Sequence, residues 1–238
     1  MVEVGKIRVG DRKPENGVGR PRSTFRVTSR VKDLLVHGAR VYGGTVQPWD
    51  GQWEVCIDAH EIKALFSNRE IDGGDTESLS QWFEQWKGKT CVKRCDGITC
   101  TEWRGEERVQ VPCACNPENR TCKLVSRVSV ILPEIPALGL WRLDTGSLMF
   151  ANEVSALSEQ IRQLGIPGPV PVLLSIGSRE IRQAPGKPSK KFAVVDIRLD
   201  TNPVNLAALV ENIRARSLGD VPALAAPSAP ALPTLSNE

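Results

Sequence analysis

The chain has 238 residues, of which 40% are hydrophobic and 25% are charged, and its formal net charge is +3 at pH 7. This size and composition allow one large domain or two small ones with an ordinary buried core. The sequence contains no run of 18 apolar residues and no apolar N-terminal stretch of signal-peptide length. These features exclude a membrane-spanning helix and favour a soluble intracellular protein.

Residues 1–85 predict the N-terminal part of an α+β domain. In chain order the patterns indicate a strand, a loop, a helix, a β-hairpin, a second short helix and a surface loop, at residues 6–9, 10–21, 30–42, 45–57, 58–66 and 72–80. Ser29 is suited to cap the first helix and Gly43 to end it. Asp50 and Gly51 indicate the hairpin, because this pair tolerates positive φ in a tight turn.

Positive charge is concentrated in the first part of this region. Residues 1–30 contain three acidic residues and eight basic ones, which are Lys6, Arg8, Arg12, Lys13, Arg20, Arg22, Arg26 and Arg30. This local excess is suited to contacts with phosphates or with an acidic partner. A solvated arm without a partner explains the same composition, and the sequence leaves both interpretations open.

Residues 124–216 predict the C-terminal part of the same domain. Two strands, a long helix, two longer strands and a last helix are expected at residues 128–132, 140–143, 148–164, 170–181, 192–199 and 203–213. Ser147 is suited to cap the long helix, and Gly165 to end it. Pro203 fits the first position of the last helix. The proline-rich and alanine-rich residues 217–238 predict a disordered tail.

The order of these elements predicts the fold class. We expect an α+β fold with a mainly antiparallel sheet and about four helices, because the connections between neighbouring strands are short. Residues 86–123, which we call the cysteine module, are expected to form an inserted metal-binding excursion without regular structure.

Six of the seven cysteines lie in this module, with the spacing C-x3-C-x4-C-x12-C-x-C-x6-C, at Cys91, Cys95, Cys100, Cys113, Cys115 and Cys122. Two groups of thiols separated by a dozen residues are typical of a tetrahedral zinc site built from two loops. The absence of a signal sequence argues against disulfides. An iron–sulfur cluster, disulfides and free thiols remain open as alternatives to a structural Zn²⁺.

The local sequence ranks the cysteines as zinc ligands. The preferred set consists of Cys91, Cys95, Cys113 and Cys122, because an Asp-Gly turn follows the first two and the last lies near enough to complete the shell. Cys115 is the first substitute for a member of this set, and Cys100 is the less favoured one. Cys56, which is remote from the others and lies in an expected strand, is interpreted as a core residue.

Enzyme motifs are incomplete in this chain. His60 and Glu61 begin an H-E-x-x-H pattern, but Ala64 stands where the second histidine is required. Cys113 begins a P-C-x-x-C pattern, but the next cysteine comes one residue early and no H-x-E precedes it. A site made only of thiolates is closed and structural. The sequence therefore predicts a protein that is not an enzyme.

Four residues of the module are candidates for binding a partner. Trp103 lies in a polar segment and is the tryptophan that we most expect to be exposed, and an exposed tryptophan beside an arginine is typical of an interface anchor. The candidates are Trp103, Arg104, Lys93 and Arg94. A lid over the metal site is the alternative interpretation of Trp103.

Several sequence blocks in a fixed order resemble one family, the recombination directionality factors that actinobacteriophages use with large serine integrases. The blocks are residues 5–10, 25–29, 42–49, 81–86, 91–97, 112–122 and 126–147, and the last contains LPEIPALGLWRLDTGS. The resemblance covers about residues 5–200. Cys100 and the proline-alanine tail lie outside the family pattern.

The resemblance implies an accessory protein that binds a phage serine integrase directly, suppresses integration and allows excision of the prophage. It also implies that DNA is contacted mainly through the integrase, that no membrane is involved, and that the protein acts in the cytoplasm of the bacterial host. A zinc-containing nucleic-acid-binding protein is the alternative, because residues 1–30 are basic and Lys93 and Arg94 lie between two cysteines.

Overall fold

The structure, a computed structural model, describes eight stretches of the chain, which are residues 2–9, 24–71, 75–88, 90–115, 121–137, 139–166, 169–181 and 189–200. These stretches belong to one compact unit, Met1–Asn202. The last helix and the tail predicted from the sequence lie outside the described residues. Neither helix in the described part has the length and apolar character needed to cross a membrane.

Strands dominate the described residues. Thirteen strands, β1 to β13 in chain order, cover Glu3–Val9, Phe25–Ser29, Thr45–Trp49, Gln52–Cys56, Glu61–Phe66, Leu79–Lys87, Thr90–Cys95, Thr99–Arg104, Glu107–Pro112, Lys123–Val130, Leu140–Thr145, Val170–Ile181 and Lys190–Leu199. Two helices, α1 and α2, cover Lys32–Tyr42 and Leu148–Gln163.

Ten of these strands form one mixed sheet in the order β3-β4-β2-β1-β11-β10-β6-β7-β8-β9. Neighbours pair antiparallel throughout, except that β1 and β11 are parallel. The hairpin between β3 and β4 turns at Asp50 and Gly51, whose φ angles of 45° and 69° confirm the turn predicted from the sequence.

The sheet has an apolar face, because side chains on alternate positions of each strand point to the same side. The buried residues of this face include Ile7, Val27, Val55, Val128 and Leu143. Helix α1 packs near β2, β3 and β4, and helix α2 lies against β6 and β13. The hydroxyl of Ser147 accepts a hydrogen bond of 3.3 Å from the Phe150 N–H, which confirms the predicted cap of α2.

Three further strands form a second antiparallel sheet in the order β13-β12-β5. Leu65 of β5 joins this sheet to the chain just beyond β10, since Leu65 and Ile131 exchange two backbone hydrogen bonds of 2.8 and 3.1 Å. The core therefore lies between the apolar face of the large sheet and the elements packed on it.

The predicted α+β fold class is wrong, because the described residues form a mostly β structure. Only two helices occur in the described residues, not about four, and strands make up most of the assigned structure. Residues 58–66, predicted as a short helix, contain β5 instead. Ile62, Ala64 and Phe66 are buried while Glu61 and Lys63 are exposed, which is the alternation of a strand.

The cysteine module is also regular where it was expected to be irregular. Strands β7, β8 and β9 continue the large sheet from β6 as an antiparallel meander. Their side chains alternate between the two faces of the sheet, so the position of a cysteine along its strand decides which face it occupies.

Candidate functional site

The β7–β8 turn brings Cys95 and Cys100 directly opposite each other on neighbouring strands. The Oδ1 atom of Asp96 accepts hydrogen bonds of 2.7 Å from the N–H groups of Ile98 and Thr99, which closes the turn. These hydrogen bonds lower the pKa of Asp96. Gly97 has a φ of 105°, a conformation that favours glycine.

Four thiols of the module form two close pairs. The Sγ atoms of Cys95 and Cys113 are 3.6 Å apart, and those of Cys115 and Cys122 are 3.9 Å apart. Cys95 and Cys122 are almost fully buried, whereas Cys113 and Cys115 are half-buried. Cys113 therefore lies near the end of β7, and Cys115 lies near the beginning of β10.

Burial raises the pKa of the Cys95 thiol to about 11, and the hydrogen bond with Cys113 acts in the same direction. Burial also raises the pKa values of Cys100 and Cys122. A bound cation reverses this tendency, because it stabilises thiolates. Within the described residues, no three or more potential ligands already meet in the geometry of a complete metal site.

Cys91, a member of the preferred ligand set from the sequence, lies away from this cluster. The register of β6 against β7 shifts between Gln85 and Trp86, which pair with Lys93 and Cys91, so Val92 is an extra residue on β7. A bulge of this kind re-aims the side chain beside it. Burial and the nearby carboxylate of Glu84 raise the pKa of Cys91, and Arg94 opposes them. Sequence spacing gave no sign of the bulge.

The face of the large sheet opposite the Cys95 and Cys100 thiols carries charged side chains and tryptophans. We call it the arginine face. Its seven cations lie on six strands and are Lys6, Arg8, Arg26, Arg94, Arg108, Arg127 and Arg142. Carboxylates offset part of this charge, through ion pairs such as Arg26 with Glu54 at 3.1 Å and Lys6 with Asp144 at 3.4 Å.

Arginine guanidinium groups stack on three tryptophan rings of this face. Arg8 and Arg26 lie 4.9 and 4.8 Å from the ring centre of Trp49. The corresponding distances are 5.2 Å for Arg94 over Trp82 and 5.8 Å for Arg108 over Trp103. Such cation–π contacts hold both side chains in defined orientations.

Glu84 lies at the centre of a charge network on the arginine face that sequence reasoning missed. Arg127 donates two hydrogen bonds of 2.7 Å to its carboxylate, Arg94 donates one of 3.0 Å, and Trp86 donates another of 3.0 Å from its indole nitrogen. Burial raises the pKa of Glu84, but these hydrogen bonds, led by those from Arg127, outweigh it and lower the pKa overall. No local pattern links residues that are 43 positions apart.

The four predicted partner-binding residues divide between the two faces. Lys93 lies on the cysteine side, where its ammonium group is 3.0 Å from Glu102. Arg94 lies on the arginine face, paired with Glu84. Trp103 also lies on that face and is half-buried, so it is not a lid over the thiols, and Arg104 is exposed beside it. The most exposed described tryptophan is Trp86, at 48%.

The family model described as Gp3-like, recombination directionality factor-like, matches residues 4–200 of this chain. No curated protein and no solved structure matches the chain. Apart from Glu3 of β1, the matched range includes both sheets, both helices and the whole cysteine module.

Proposed function

The chain belongs to the Gp3-like, recombination directionality factor-like family, and we propose that it binds a phage large serine integrase and switches that enzyme from integration to prophage excision. The family match, which spans 4–200, is the observation that carries this proposal. Members of this family are regulatory accessory factors in recombination. The incomplete enzyme motifs around His60 and Cys113 agree with a role that needs no chemistry of its own.

The proposed switch is a shift between two arrangements of the integrase on DNA. A factor changes the balance between them only if it binds one arrangement more tightly than the other. Moving the balance from 1:99 to 99:1 requires a difference in affinity of about 10⁴-fold. The protein therefore needs a rigid surface that fits one arrangement and not the other.

The arginine face around the β8–β9 hairpin has the properties of such a surface. Trp103 is held under Arg108, and Arg94 is held between Glu84 and the ring of Trp82. Side chains that are already ordered lose little entropy on binding, and tryptophan and arginine are the residues most enriched at binding hot spots. Arg104 follows Trp103 at the exposed end of β8 and points to the other face, where it pairs with Glu102.

Lys93 completes the set of proposed contact residues, and it lies on β7 like Arg94 but on the cysteine side of the sheet. Its ammonium group pairs with Glu102 on the neighbouring strand β8. A structural Zn²⁺ in the cysteine module belongs to the same proposal, because it would fix the strands that present Trp103 and Arg104. DNA would then be contacted mainly through the integrase.

A binding experiment tests this function without depending on recombination. The purified chain would be titrated against the large serine integrase encoded by the same phage or prophage. We expect a saturable complex with this integrase and no complex with a tyrosine recombinase of similar size and charge. Equal binding to both recombinases, or to neither, would contradict the proposal.

The arginine face also favours the second candidate, a nucleic-acid-binding protein. Seven cations and three stacked tryptophans on one face resemble a surface for phosphates and bases. Direct DNA binding predicts an affinity that falls steeply with salt, by about 10³ to 10⁵ between 50 and 200 mM for six to ten phosphate contacts. The directionality function predicts weak DNA binding by the chain alone and strong binding once integrase is present.

A further inference from the structure

We propose that Cys95, Cys113, Cys115 and Cys122 bind one Zn²⁺ as a closed tetrahedral site of four thiolates. This assignment goes beyond the directionality function and does not depend on it. It replaces Cys91 of the set preferred from the sequence by Cys115. It also makes the site a link between three strands, β7, β9 and β10, that are not neighbours in the sheet.

The sulfur separations match those required by a shared zinc ion. Zn–S bonds of about 2.3 Å in a tetrahedron place neighbouring sulfurs about 3.8 Å apart. The separations within the two pairs are 3.6 Å for Cys95 with Cys113 and 3.9 Å for Cys115 with Cys122. Each pair is therefore already spaced as one edge of such a tetrahedron.

The two pairs are linked through neighbouring residues of the chain. Cys113 and Cys115 are separated by a single residue, so their Cα atoms are at most about 7 Å apart. Each of them contacts a thiol on a different strand, since Cys95 ends β7 and Cys122 immediately precedes β10. Completing the shell requires side-chain rotations that direct the four sulfurs to one point, because no three potential ligands already meet there in the described residues.

The remaining two cysteines of the module are outside this shell for different reasons. Cys91 is turned by the β-bulge toward Glu84, on the arginine face. Cys100 lies on the same face as the cluster, opposite Cys95, and its side chain is only 1% exposed. We assign Cys100 as a buried thiol that packs behind the site, which is a common role for a free cysteine.

Such a site would cross-link the strands of the cysteine module. Strand β9 is an edge of the large sheet and pairs only with β8 among the described strands. A zinc ion held by Cys95, Cys113 and Cys122 ties the end of β9 to β7 and β10, which lie further into the sheet. A closed shell of four thiolates leaves no position for water, so the ion has a structural role.

Metal analysis of the full-length chain, purified under reducing conditions without chelator, tests the assignment. We expect one zinc per chain by mass spectrometry of the metal, and four sulfur neighbours at about 2.3 Å by X-ray absorption. Replacing any of the four ligands, for example Cys115→Ser, is expected to lower the zinc content at least tenfold. Cys91→Ser and Cys100→Ser are matched controls that should retain the full content.

Several outcomes would overturn the assignment. One is a chain without zinc in which titration finds only three free thiols, because Cys95 with Cys113 and Cys115 with Cys122 would then be disulfides. Another is loss of zinc from Cys91→Ser with retention by Cys115→Ser. X-ray absorption of the unsubstituted chain decides the coordination even if a ligand variant fails to fold, and fewer than four sulfurs would contradict the proposal.

Discussion

Arg127 donates two hydrogen bonds of 2.7 Å to the carboxylate of Glu84, which is only 1% exposed, and so joins β10 to β6 at the base of the cysteine module. Arg94 of β7 donates to the same carboxylate. Strands β10, β6 and β7 are therefore linked through the one buried carboxylate of Glu84. Removing Glu84 would leave the guanidinium groups of Arg127 and Arg94 without their shared carboxylate, which is more costly than breaking an exposed ion pair.

Glu84→Gln is expected to destabilise the protein by about 3 to 5 kcal/mol, because two arginines lose their buried carboxylate. The free energy of unfolding from urea titrations measures this effect. Glu159→Gln is the matched control, since Glu159 forms an exposed pair with Arg162 on α2 and its loss should leave the stability unchanged. Equal stabilities of the two variants would show that the network at Glu84 contributes little.

The same carboxylate predicts an acid-dependent loss of stability. The pKa of Glu84 in the folded protein is below its ordinary value of 4.5. Its contribution is therefore complete above about pH 4.5 and is lost as the pH falls from there toward the folded-state pKa. Unfolding free energies measured from pH 7 to pH 3.5 should converge for the unsubstituted chain and Glu84→Gln. Curves that stay parallel down to pH 3.5 would contradict this assignment.

Gly5→Ala is expected to destabilise the protein by about 1 to 3 kcal/mol or more, because the core at β1 has no room for a methyl group. A Cβ atom at Gly5 would overlap the ring of Trp141 and lie 2.5 Å from the carbonyl oxygen of Thr28. At Gly146 the nearest atom would be at 3.4 Å, an ordinary contact. Thermal unfolding should show a large decrease in Tm for Gly5→Ala and a small change for Gly146→Ala.

Ser147→Ala is expected to cost about 1 kcal/mol, the usual effect of losing a helix N-cap. The hydroxyl of Ser147 satisfies the N–H of Phe150, which no residue within the helix can do. Ser147→Asp is the control, because aspartate caps a helix equally well. Urea unfolding measures both variants, and a loss of stability in Ser147→Asp as large as in Ser147→Ala would mean that the cap is not the cause.

Trp103→Ala and Arg104→Glu are expected to weaken integrase binding. Loss of a central tryptophan at an interface costs about 2 kcal/mol or more, which corresponds to roughly a thirty-fold increase in Kd. Arg162→Glu is the matched control, because Arg162 is similarly exposed but lies on α2. Calorimetric titration with the cognate integrase measures each Kd, and unchanged values for both module variants would remove this surface from the proposed interface.

Local patterns in the sequence were sufficient for several elements of the fold. The positive φ angles at Asp50 and Gly51 and the hydrogen bond from Phe150 to Ser147 are local, and both were predicted. Strands β11, β12 and β13 were also predicted, because each carries an alternation or an apolar run, whereas only the last three residues of β10 lie in the strand expected at 128–132. The prediction of a helix at residues 58–66 was wrong, because burial of Ile62, Ala64 and Phe66 on one face favours a strand there.

The arrangement of the candidate site depended on contacts that no local pattern contains. The parallel pairing of β1 with β11 joins residues more than 130 positions apart. The bulge beside Cys91 separates it from Cys95 even though both lie on β7. Cysteine spacing identified the module that carries the thiols, but the choice between Cys91 and Cys115 required the strand register.

Recombination in vitro with the cognate large serine integrase tests the directionality function most directly. Purified integrase would be supplied with DNA carrying either the two integration sites or the two excision sites, with and without this chain, and the recombinant product would be quantified. The account predicts that the chain makes excision efficient and reduces integration. Integrase that excises equally poorly with and without the chain, while integration continues unchanged, would contradict it.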